Sequence, residues 1–277
     1  ISALNLTLSG VDVVSDAKPG STGAAGRVSI EVRGDMSVVN NTRVATDTFG
    51  TGDAGSVQVR AGTLLIDPSE ISSNSRGTNS GNAGSVVLNV DRNLSLIAGG
   101  RVSSSTQSRV GGAGSISIFA KSVDVDGATS GVFAAAATGS SGQPGNVAVT
   151  AVDSISLANG GTLNIGNGAT VVNPASIQTT SLAVTASSIS LSSGAQITSA
   201  SLGNIAASDI SLVFSDLLRM RNAAISTTAQ EGDGGAVSIQ GGRGILLDRS
   251  QITTSVLGAN NGNGGNIAIR ASALASN

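Results

Sequence analysis

Asp124 and Asp126 are the first residues to weigh as chemistry. They lie in Val123-Asp124-Val125-Asp126, whose alternation reads as a strand. That spacing puts both carboxylates on one side and Val123 and Val125 on the other. Enzymes that degrade acidic polysaccharides use such carboxylates with Arg or Lys beside them, as acid, base or charge stabiliser. Arg219 and Arg221 form a comparable exposed pair. For both pairs the plainer reading, solvated surface charge, is preferred. Asp53 and Asp233 sit in Gly-Asp turns and invite a calcium reading. Calcium needs six to eight oxygens, and the Gly-Gly-x-Gly-x-Asp nonapeptide repeat is missing, so no metal site is expected.

Composition removes other chemistries. The chain has 277 residues with no His and no Cys, which excludes Ser-His-Asp and Cys-His catalysis and the usual zinc sites. It therefore carries no assigned catalytic, cofactor or metal residue, and the expectation is a protein that is not an enzyme. Fifteen basic and 17 acidic residues are scattered without a Lys/Arg run, and only four Phe, no Trp and no Tyr are present. That is not the footprint of a nucleic-acid binder. The longest apolar run, Val132 to Ala137, is far short of a transmembrane helix. Glycine turns resemble a phosphate loop only superficially, since no Gly-Lys-Ser/Thr follows.

What must position any site is a repeat. Gly81-Asn82-Ala83-Gly84 is followed by Ser85-Val86-Val87-Leu88, a turn and then a strand. The same unit returns at Gly23–Gly26, Gly52–Gly55, Gly111–Gly114, Gly142–Gly145, Gly232–Gly235 and Gly262–Gly265. The turn glycines are expected to supply positive φ. The marks Gly26, Gly55, Gly84, Gly114 and Gly145 are spaced 29, 29, 30 and 31 residues apart, and Gly235 and Gly265 are 30 apart. The 90 residues between Gly145 and Gly235 hold three units, of which those at Ser181-Leu182-Ala183-Val184 and Asp209-Ile210-Ser211-Leu212 lack the glycine pair.

Each unit reads as three short strands, for example Val57-Gln58-Val59, Leu64-Leu65-Ile66 and Ile71-Ser72-Ser73. Apolar residues recur every second position and helix formers are scarce. Fixed-period triplets of strands predict an all-β chain: a right-handed parallel β-helix, three-faced, of about nine coils and ~40 Å long. One β-helix domain spans 1–277, with irregular insertions at about 127–145 and 158–180. Because the pattern starts and stops abruptly, the chain reads as a fragment of a longer protein.

The third strand ends in hydroxyls. Alternation turns Ser73, Ser104, Ser199, Thr227 and Thr254 inward as a stack bonded to neighbours or backbone. It turns Ser72, Ser103, Thr198, Ser226 and Thr253 outward as a row that could meet ice or a glycan.

Units of the form Gly-Asn/Asp-Ala-Gly-Ser-Val-x-Val, a second strand, then Gly/Ser-x-x-Ile-Ser/Thr-Ser/Thr, resemble filamentous-haemagglutinin-like exoproteins of two-partner secretion, most of all the long cyanobacterial type. The resemblance runs from Gly23 to Ile269 and weakens between 158 and 208. It implies a right-handed β-helix exported through an outer-membrane partner and displayed or released at the cell surface. It transfers no catalytic residue. The expected role is an extracellular structural stalk, fibre or adhesin segment. Its partners would be further coils of the same chain, like subunits end to end, and surface glycans. The alternatives are a polysaccharide lyase or hydrolase, or a glycan-binding module, on the same scaffold.

Overall fold

The structure, a computed structural model, describes residues 1–258 and 262–276. It is an all-β parallel solenoid of about nine turns with no α-helix among the described residues. Every strand pairs in parallel with its counterpart one coil away. The inward file of the first wall runs Val28, Val57, Val86, Ile116, Val147, Leu182, Ile210, Val237 and Ile267. The two units without glycine pairs, at Leu182 and Ile210, therefore keep their place in the pile. The third wall has its own file: Val13, Val44, Ile71, Val102, Val132, Leu163, Ile197, Ile225 and Ile252.

Stacked Val, Ile and Leu fill the bore, and Val57, Leu88, Leu94, Ile155 and Leu191 are fully buried. Each such side chain contributes about 1.5–3 kcal/mol on leaving water. A coil alone exposes its inner face on both sides, so this stabilisation exists only in the stack.

The first two predicted strands fuse in most coils. Ser56–Asp67, Val147–Ala158 and Asp209–Arg221 each run across the first and second walls without interruption. They turn the corner with register shifts, as between Ala120 and Ser122 or Thr150 and Ser154. A bulge bends the ladder there without ending it, which strand-length patterns in sequence do not display.

The supposed insertions are largely regular. Gly131–Phe133 lies inside 127–145 and pairs on both sides with third-wall strands. Its Ala-rich run places Ala134 and Ala136 inward, where other coils carry hydroxyls. Likewise Thr162–Asn164 continues the third wall within 158–180. The genuine excursion is the shorter segment 168–180, which includes a one-turn 3-10 helix, Pro174–Ser176.

The role of the turn glycines differs in part from expectation. None of Gly26, Gly55, Gly84, Gly114, Gly145, Gly235 and Gly265 has positive φ. A Cβ on Gly84 would instead collide with the carbonyl oxygen of Gly55 and the hydroxyl of Ser73. The glycine file is required by close approach of one coil's backbone to the next. Positive φ does occur at the first glycine of two quartets, Gly142 and Gly232, but left-handed backbone recurs most regularly at the corner between the second and third walls. There it falls one residue after most second-wall strands, at Gly10, Asn40, Ala98, Gly127, Asn159, Ser193, Asn222 and Arg249, while the strand Ser56–Asp67 is followed by Pro68 instead.

A further ladder was not foreseen. Single parallel bridges join Ala17, Thr48, Ser75, Thr106, Ala136, Asn167 and Ser201 beyond the third wall. All seven are buried. Their side-chain donors satisfy carbonyls of the loop that follows: Thr48 Oγ1 to Gly52 O at 2.6 Å, Thr106 Oγ1 to Gly111 O at 2.7 Å, Ser201 Oγ to Ile205 O at 2.7 Å.

Candidate functional site

The solenoid places Asp124 and Asp126 outward, with Val123 and Val125 buried behind them. In register, Asp124 is flanked by Ser95 and Ser156, and Asp126 by Ile97 and Ala158. Asp126 accepts a hydrogen bond from Asn159 Nδ2 at 2.7 Å. The coil above and the coil below bring no further carboxylate or cation into these files. Arg219 and Arg221 also face outward, and Arg221 Nε stands 3.4 Å from Asp248. With Leu246, Leu247 and Ala275 they rim a shallow cleft at the C-terminal coils. The two sequence-predicted pairs lie on different coils and do not converge.

Asp53 and Asp233 are occupied by hydrogen bonds between coils. Asp53 Oδ1 accepts from the Asn82 backbone N–H at 2.7 Å and from Asn82 Nδ2 at 3.1 Å. Asp233 Oδ1 does the same for Asn263 N–H at 2.7 Å. Asn82 Oδ1 in turn accepts from Gly112 N–H at 2.9 Å. Among the described residues no group of three or more acidic side chains is arranged to hold a metal ion.

The inward hydroxyls are where alternation predicted. Ser73, Ser104, Ser199 and Thr227 are buried, and Thr254, in the penultimate coil, is half-buried. They bond mainly to the glycine turns. Ser73 Oγ donates to Gly55 O at 2.8 Å, Ser104 Oγ to Gly84 O at 2.5 Å, and Thr254 Oγ1 to Gly265 O at 2.6 Å. Ser199 Oγ, in a coil without the glycine pair, is buried with no partner. The outward row is half-buried at Thr198, Ser226 and Thr253. Ser72 and Ser103 are instead covered, because Asx side chains lie across them: Ser72 Oγ donates to Asp47 Oδ1 at 2.9 Å and Ser103 Oγ to Asn74 Oδ1 at 2.7 Å.

Those Asx residues belong to a cluster that sequence reasoning missed. Asp16, Asp47, Asn74 and Ser105 occupy one file at the edge of the third wall. Each side-chain oxygen accepts the backbone N–H of the next coil's member: Asp47 N–H to Asp16 Oδ1 at 2.9 Å, Asn74 N–H to Asp47 Oδ1 at 2.7 Å, Ser105 N–H to Asn74 Oδ1 at 2.7 Å. The readable signal was a hydroxyl followed by Asx, in Ser15-Asp16, Thr46-Asp47 and Ser73-Asn74.

Arginines complete it. Arg43 joins Asp16 at 2.7 Å and Asp47 at 3.0 Å, and Arg76 joins Asp47 at 2.5 Å and Glu70 at 2.8 Å. The Asp16 and Asp47 side chains are fully buried. Burial opposes the charge on Arg43, but its bond to Asp16 and the field of Asp16, Asp47 and Asp12 outweigh burial and raise its pKa. Arg76 is likewise opposed by burial and raised on balance by Glu70 and Asp47. Asp47 accepts four donors, so it has no lone pair left to serve as a base. The cluster is a clasp across coils, with one further member, Arg101, at its open side. Arg101 lies next to Glu70 in the ladder and stacks on the Phe133 ring at 4.2 Å from its centroid. No family model, curated protein or solved structure matches this chain.

Proposed function

We propose that the chain is an extracellular structural stalk, fibre or adhesin segment that holds binding regions away from the cell and performs no turnover. The observation that supports this reading is the continuity of the core files through about nine coils while the polar side chains are spent on joining coil to coil. Such a column resists bending because each coil is pinned by its backbone ladder and by side-chain bonds to the next. The family resemblance adds display or release at the surface by two-partner secretion. Protease shaving of intact producing cells tests it: loss of the protein without lysis is expected, and full protection from protease would refute surface display.

Further coils or like subunits stacking on the ends extend the same reading. Ile267 and Ile269 close the core files at one end and are 44% and 37% exposed, against 1% and 0% for Val237 and Ile239 one coil earlier. Light scattering that reports only monomer at high concentration would refute subunit stacking. The rival, a polysaccharide lyase or hydrolase, predicts new reducing ends from acidic or neutral glycans and their loss in Asp124→Ala. No release is expected.

A further inference from the structure

Arg43 and Arg76 are both held by carboxylates, whereas Arg101 is not. Among the described residues no acidic oxygen lies within salt-bridge distance of Arg101, although Glu70 is its direct neighbour in the ladder. Glu70 is turned the other way, toward Arg76 at 2.8 Å and Asn74 Nδ2 at 3.3 Å. The Arg101 guanidinium instead lies over Phe133, one coil further on. Stacking fixes its plane and leaves its N–H fork open, the geometry that captures a planar carboxylate through two parallel hydrogen bonds. Beside it is a shallow, open depression of about 260 Å³ whose wall includes Arg76, Ser103, Ser105, Gln107, Asn74 and one carboxylate, Glu70, which is neutralised by Arg76 at 2.8 Å.

We propose that Arg101 and this depression bind a carboxylate of an acidic polysaccharide, a uronate unit of a chain lying along the third wall. The surroundings favour a saccharide over an acidic peptide. The third-wall strands here are paired on both sides, so no sheet edge is free to accept a peptide strand. The depression offers hydroxyl, amide and guanidinium groups rather than an apolar pocket for side chains, and its one carboxylate, Glu70, is already paired with Arg76. The outward file also continues past Phe133 as Asn164, Thr198, Ser226 and Thr253, in register and half-buried. Hydroxyls and an amide repeated every ~4.8 Å suit a polymer that runs on from the anchored carboxylate. This proposal goes beyond the stalk reading and holds whether or not the column serves as a spacer.

Isothermal titration of the full chain with oligogalacturonate, neutral dextran oligomers and poly-L-glutamate tests it. Oligogalacturonate is expected to bind, with an affinity that falls as salt rises. Arg101→Gln should weaken that binding by ~10-fold or more, the loss of a charge-assisted pair. Arg101→Lys, which keeps the charge and loses the fork, should also weaken it, and it separates lost recognition from lost folding. Arg219→Gln on the second wall should leave it within about twofold. Failure of oligogalacturonate to bind, unchanged binding by Arg101→Gln, or an equal loss in Arg219→Gln overturns the site. Equal binding of dextran or of poly-L-glutamate overturns the ligand class.

Discussion

Replacing Gly84 by Ala places a methyl group well under 3.0 Å from both the carbonyl oxygen of Gly55 and the hydroxyl of Ser73. Neither neighbour can yield. The Gly55 oxygen belongs to the preceding coil's backbone and accepts from Ser73 Oγ at 2.8 Å, while Gly84 N–H donates to Ser73 O at 3.0 Å. Overpacking costs about 1–3 kcal/mol. Parting the coils also releases one or two inter-coil hydrogen bonds at about 0.5–1.5 kcal/mol each. The expected loss is therefore about 1.5–6 kcal/mol. Gly23→Ala is the matched control. Its Cβ would meet only Ser21 Oγ, at 4.0 Å, and its φ is not positive. Stiffening the unfolded chain there should leave stability unchanged or raise it by up to about 1 kcal/mol. Urea denaturation followed by circular dichroism measures both, and amide exchange at Val86 and Ile116 should rise in Gly84→Ala before it rises at the ends. If the two variants unfold at the same urea concentration, close approach is not what the glycine file serves.

Asp47→Ala should cost about 3–5 kcal/mol, since it strips two guanidinium groups, one hydroxyl and one amide of an acceptor. Asp47→Asn keeps the inter-coil acceptor, as Asn74 does naturally, and should cost less; equal losses in denaturation midpoint would contradict the clasp. Ser199→Ala removes a buried hydroxyl without a partner and should gain about 1 kcal/mol, whereas Ser104→Ala loses its bond to Gly84 O and should lose about 1 kcal/mol. The opposite order, in the same urea titration, would refute the assignment. For pH, Arg43 and Arg76 have folded-state pKa values above the ordinary arginine range, so their stabilisation is complete below that range and fades only as pH climbs through the raised values. With no His or Cys in the chain, the urea midpoint should stay flat between about pH 6 and pH 9, and a shift of several tenths of a molar would count against it.

Most of the scaffold could be read from residue types, because a parallel solenoid stacks like on like. Period-two alternation located the buried files, and the glycine quartets marked coil boundaries closely enough to place the degenerate units at Leu182 and Ile210. Corners were less legible. Whether a strand ends or bends depends on one bulged residue, which Ala120 and Ser122 give no sign of. The glycines were legible as necessary but not as to why, since close approach between coils depends on residues about 30 positions away. The charged cluster was missed for the same reason. Arg43, Asp47, Glu70 and Arg76 look like scattered surface charge until the register stacks them. Arg101 joins Phe133 only because Gly131 follows it in the file.

The chain of side-chain oxygens from Asp16 through Asp47 and Asn74 to Ser105 has a direction. Every member accepts from the later coil and none reaches back toward the earlier one. The column is therefore polar, and an amide that arrives later finds its acceptor already anchored. A chain that folds from its amino-terminal end would zip onto its own finished portion one turn at a time, each turn offering the next a ready acceptor.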